Sequence, residues 1–144
     1  MVSRRQALAA AGGGVGLGVT GVTITEALHR GIVYEKWIRG RRDGEGDDLH
    51  AVIADKTTQA PYVTERFDDA DVFTSAQERE PVVTEEMAGT LREQYDDLEY
   101  GVIVSTTEAR EVREGGAVPR ETFNGVQVFQ EATAIAAGGY FRLL

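Results

Sequence analysis

The chain has 144 residues, the size of one ordinary domain, with 24 acidic against 15 basic side chains and a formal net charge of −9. It has no cysteine and only two histidines, His29 and His50. These counts exclude a disulfide scaffold, a cysteine-ligated zinc or iron–sulfur site, a c-type haem and a thiol nucleophile.

The charge is unevenly placed. Residues 1–46 carry +3 and residues 47–144 carry −12. Phosphate binding needs a cationic surface, so the distal part should repel nucleic acid. Thirteen of the fifteen bases are Arg; only Lys36 and Lys56 are Lys. High acid, almost no Lys and abundant Gly, Ala, Val and Thr resemble the composition of proteins from high-salt organisms. Strong salt screening shortens the reach of self-repulsion. In such a chain most carboxylates are solvated surface, and acidic clusters lose value as site signals.

Gln6 to Thr25 is an uncharged run of 20 residues. As a helix it would span roughly 30 Å, the thickness of a hydrocarbon core. Leu8, Val15, Leu17, Val19, Val22 and Ile24 are its strongly apolar residues, and six glycines weaken it. Ser3-Arg4-Arg5-Gln6-Ala7-Leu8 stands just before this stretch. It resembles a twin-arginine export signal, matching at Ser3, Arg4, Arg5 and Leu8 and departing at Ala7 and Ala9. The resemblance covers about the first 27 residues and implies export. Thr25-Glu26-Ala27 is a poor cleavage site, so an uncleaved anchor is favoured over a cleaved signal. Gly12-x-x-x-Gly16 and Gly14-x-x-x-Gly18 would give that anchor a close-approach face. The positive-inside rule counts more bases after the run than before it and would keep the acidic domain inside. The twin-arginine route would put it outside, and both orientations stay open. Gly16-Leu17-Gly18-Val19-Thr20-Gly21 matches GxGxxG but lacks the preceding strand of a dinucleotide site.

Next comes a basic, aromatic stretch, residues 29–46. Tyr34 and Trp37 lie among Arg39, Arg41, Arg42 and their basic neighbours, a mixture suited to the headgroup region of a bilayer or to an ordinary linker. Asp43-Gly44-Glu45-Gly46-Asp47-Asp48 follows and reads as the domain boundary. The expected division is a signal or anchor helix over 1–28, a connector over 29–46 and an acidic α+β domain over 47–144.

Within that domain, Leu49–Ala54 and Pro61–Phe67 read as strands. Thr84 is placed to cap a helix with Glu85 and Glu86 in its first turn. Met87, Leu91, Tyr95 and Leu98 repeat at helical spacing. Tyr100–Val104 is a strongly apolar strand. Gly115-Gly116, Asn124-Gly125 and Gly138-Gly139 then look like turns of a meander, with strands near 117–123, 126–136 and 140–144. Residues 107–114 read as a further strand or a short helix. The expected fold is therefore α+β: an N-terminal hydrophobic helix, then a small domain with one helix and a mostly antiparallel sheet ending in a C-terminal meander.

The residues supply no convincing catalytic set. His50, with Ser75 or Ser105 and a nearby Asp, lacks a nucleophile-elbow pattern. Asp68, Asp69 and Asp71 could offer three oxygens to a hard cation, but no glycine or closing glutamate completes a calcium loop. The leading expectation is a non-enzymatic, membrane-anchored or exported protein–protein interaction module, such as a small subunit of an envelope or membrane assembly. Its expected partners are a membrane and a protein or a second copy, with no cofactor and no nucleic acid. The alternatives are a cation-binding or metal-dependent hydrolytic domain, and a cytoplasmic complex subunit with a packed first helix.

Overall fold

A computed structural model describes residues 28–66, 73, 77–106 and 110–144. The elements in chain order are β1 (Leu28–Arg42), β2 (Glu45–Asp55), β3 (Ala60–Arg66), α1 (Glu85–Gln94), β4 (Asp96–Thr106), β5 (Arg113–Val118), α2 (Arg120–Asn124), β6 (Glu131–Ala137) and β7 (Tyr140–Leu143). Every strand pair is antiparallel, and the main order is β3-β2-β1-β4-β5.

β1 organises the sheet. Its 15 residues reach roughly 50 Å, long enough to take two partners along one edge. Residues 35–42 pair with β2, and residues 28–32 pair with β6. β4 runs along the other edge. β7 pairs with β6, and the curled sheet brings β7 against β5. There Gly116 leaves room for Phe141, whose Cβ lies 2.8 Å from where a methyl on Gly116 would sit.

Alternation along β1 decides what is buried. Lys36 and Ile38 face inward, toward the helices; Trp37 and Arg39 face outward. One apolar cluster joins Ile38 and Leu49 to Val83, Leu91, Tyr95, Tyr100 and Phe123. A second joins Val33, Val52, Val102 and Val104 to Val128 and Ala134. Each fully buried Val, Leu, Ile or Phe among them contributes about 1.5–3 kcal/mol, and the chain has no cysteine to add a disulfide.

The expected architecture is corrected in several places. The described chain is predominantly antiparallel sheet with two short helices, and its first element is a strand. Of the N-terminal helix expected over 1–28, residues 1–27 lie outside the described residues and Leu28 begins β1. The basic stretch read as a connector forms β1, the central strand. Its Gly-rich end, read as a domain boundary, is the β1–β2 hairpin turn. Asp43 and Gly44 have φ of 56° and 83°, the pair of positive angles that a tight two-residue hairpin turn requires.

The C-terminal meander is also corrected. Gly138 and Gly139 do form a hairpin turn, with φ of 58° and 84°. Gly115 and Gly116 instead lie inside β5. Asn124-Gly125 closes α2, and Gly125 has φ of −77°. Pro119 is the N-cap of that helix, and the Asn124 side chain is drawn away to Val83. The helix expected from Thr84 is α1, with Thr84 Oγ1 accepting from the Met87 amide at 3.2 Å. It stops at Gln94, so Leu98 falls in β4, yet Met87, Leu91, Tyr95 and Leu98 all reach one core cluster.

Candidate interaction face

The outer face of the sheet is built on the middle of β1. Trp37 stands opposite Ala51 on β2 and Gly101 on β4, and these small residues let the indole lie flat. Although it is on the outer face, Trp37 is only 7% exposed. The Arg39 guanidinium covers it, 4.3 Å from the ring centroid. Arg39 also pairs with Asp48, which faces it across the β1–β2 ladder. Arg41 pairs with Asp97 at 3.4 Å. Arg39, Arg41, Asp48, Asp97 and Glu99 line a cleft of about 590 Å³.

A second cleft, about 420 Å³, lies farther along and is lined by Tyr34, Asp55, Lys56, Tyr62 and Arg113. The bulge between Val33 and Glu35 places an extra residue, Tyr34, in β1. Arg113 covers its ring at 3.9 Å. Tyr62, on the edge strand β3, is 45% exposed. Glu111 is the hub beside this cleft. It accepts from Lys56 Nζ at 2.8 Å, Ser105 Oγ at 2.8 Å and Arg113 Nε at 3.2 Å. The Lys56 hydrogen bond, then that from Ser105, hold its carboxyl down to about 2. Asp55 is likewise held below its usual range, first by the Thr57 amide and then by the Thr58 hydroxyl.

The residues singled out in the sequence are only partly brought together. Trp37, Arg39 and Arg41 share the outer face, and Tyr34 lies by the second cleft. Arg42 turns away, its guanidinium 5.4 Å from the Tyr95 ring. The export-signal residues Ser3, Arg4, Arg5 and Leu8 and the acidic residues Asp68, Asp69 and Asp71 lie outside the described residues. Among the described residues, no group of three or more His, Asp or Glu is placed to hold a metal ion. No described helix is long and apolar enough to cross a membrane.

His50 and Ser105 are separated by the sheet. His50 is buried on the inner side, its Nε2 2.8 Å from the Glu78 carbonyl and its ring 4.8 Å from Phe73. Ser105 is buried too, but its hydroxyl is given to Glu111 beside the outer face. Lys56, Tyr62, Glu111 and Arg113 were not anticipated. Lys56 and Glu111 are 55 residues apart in sequence, and only the β1–β4 and β1–β2 pairings bring them together. Comparison with protein-family models, with curated proteins and with solved structures returns no match.

Proposed function

We propose that this chain is a non-enzymatic interaction module, exported or membrane-anchored through its N-terminal segment, that binds a protein partner on the outer face of its sheet. In this reading it serves as a small subunit of an envelope or membrane assembly. The observation that carries the proposal is the pair of clefts beside β1, where paired charged side chains and, in the second cleft, the exposed Tyr62 stand on the sheet. Arg39, Arg41, Lys56 and Arg113 supply cations in a chain of net −9, and each is matched by a carboxylate. That alternation suits a partner surface of mixed charge better than a polyanion. The placement of His50 on the inner side of the sheet and of Ser105 beside the outer face supports a binding role over a hydrolytic one built on that pair.

Photo-crosslinking in native membranes tests this. Crosslinkers at positions 39 and 62 should give one discrete protein adduct. Crosslinkers at Glu93 and Glu121, exposed on the helical side, should not. Equal adducts from both sides, or none from the outer face, would overturn the assignment.

A further inference from the structure

Lys36 is the one described lysine in the core. Its side chain rises from the inner face of β1 between Val52 and Val102, its neighbours across the ladders, and is 0% exposed. Nζ donates to the Pro81 carbonyl at 2.8 Å, the Val126 carbonyl at 2.7 Å and Gln127 Oε1 at 3.1 Å. The Phe123 ring lies 4.0 Å away. These partners come from the segments on either side of the helices. Pro81 leads into α1, and Val126 and Gln127 follow α2. The same two segments are tied to each other, because Asn124 brackets Val83 with two bonds of 2.8 Å and Arg120 donates to Val83 O at 2.8 Å. The helices and their flanks thus form one cover, seated on the sheet over a single ammonium.

All of the hydrogen-bond partners shown for that ammonium are neutral. Three oxygens and a ring face take up the three N–H bonds of the protonated amine but supply no countercharge, so part of the cost of holding the charge away from water remains. Among the described residues, the charged and titratable groups of the surrounding elements whose partners or exposure are shown are directed elsewhere. Arg120 and Arg92 go to Glu85, and His50 goes to the Glu78 carbonyl. Arg79, Glu80 and Glu121 are exposed, and the Tyr100 ring stacks against Phe123. Residues 125–130 carry no charge.

We propose that Lys36 makes this cover acid-sensitive: protonating the buried amine favours opening of the α1–α2 cover, because only the open form returns the charge to water. The direction follows from linkage. Burial lowers the amine from 10.5 to about 7 in the closed form, whereas an opened, hydrated lysine keeps its ordinary value. The open form therefore binds more protons between those limits. Opening becomes easier as pH falls through that window and levels off below about 7. This inference concerns the inner face and does not depend on a partner for the outer one.

The chain has just two lysines, so lysine-selective isotope labelling gives two side-chain signals, with exposed Lys56 as the internal reference. The experiment uses the full chain in detergent-containing buffer from pH 6 to 10. It follows the Lys36 signal together with amide exchange protection at Val83, Phe123 and Gly125, corrected for intrinsic rate. Expected are a Lys36 midpoint near neutral pH and protection rising by up to about tenfold per pH unit above it. Gln127→Glu, which puts a carboxylate beside Nζ, should raise the Lys36 midpoint and flatten that rise. A Lys36 that stays charged to pH 10 overturns the proposal. So does a normal titration with flat protection, or a slope unchanged in Gln127→Glu.

Discussion

Trp37 lies flat across Gly101, so that a methyl group on residue 101 would fall 1.9 Å from Trp37 Cε2 and 2.0 Å from Cζ2. The indole occupies the space that any other residue at 101 would need. This contact joins the two central strands, β1 and β4, beneath the proposed interaction face.

Gly101→Ala should therefore displace the ring and destabilise the fold by about 1–3 kcal/mol. Trp37 is the only tryptophan, so its fluorescence reports the displacement directly. Emission should shift to longer wavelength as the ring leaves its seat. A variant with wild-type emission and an unchanged urea midpoint would show that the ring does not depend on Gly101.

Asn124 ties α2 to the segment before α1 through both backbone groups of Val83. Asn124→Ala leaves the Val83 amide without its partner. The expected cost is about 1–3 kcal/mol, read from the urea midpoint with an unchanged slope. A loss within error of zero would mean that water replaces the bond.

Lys36 also sets how global stability depends on pH. The unfolded chain holds a proton on this amine up to about 10.5, whereas the folded chain gives it up near 7. The unfolded state therefore binds more protons between these values, and stability rises with pH across that window, by at most about 1.4 kcal/mol per unit. Lys36→Met keeps most of the side-chain length and removes the titration. Denaturant melts at pH 7 and 9 should differ in the wild type and converge in the variant. A persistent difference in the variant would assign the slope to another group.

Glu111 acts in the opposite sense. Its carboxyl is held at about 2, below its ordinary value near 4.5, so its contribution is present above that ordinary value and is lost as pH falls toward 2. Glu111→Gln should narrow the gap between melting temperatures measured at pH 5 and pH 2.5. The same gap in both proteins would mean that the Lys56, Ser105 and Arg113 contacts add no stability.

Local chemistry made some elements legible and left others ambiguous. Thr84 with Glu85 and Glu86 marks the start of α1, because cap and dipole act within one turn. Asp43-Gly44 has two physical readings, a flexible boundary or a hairpin turn. What selects the turn is pairing of Arg42 with Glu45 and of the residues beyond them, a non-local fact. Asn124-Gly125 looked like a hairpin, but Val83, 41 residues away, captures the Asn124 side chain. The burial of Lys36 is not legible in the sequence, because the bulge at Tyr34 breaks its alternation with Val33. The outer face was half visible: Trp37, Arg39 and Arg41 stood out, whereas Glu111 and Tyr62 reach it only through strand pairing.

The central claim is an interaction module held at, or beyond, the membrane, and cell fractionation tests it most directly. Full-length protein would be expressed in a high-salt host, separated into membrane and soluble fractions, and exposed to protease added to intact cells. The account predicts protein that pellets with membranes, or is released outside, and is digested by the external protease. Soluble protein inside intact cells and protected from digestion would contradict it.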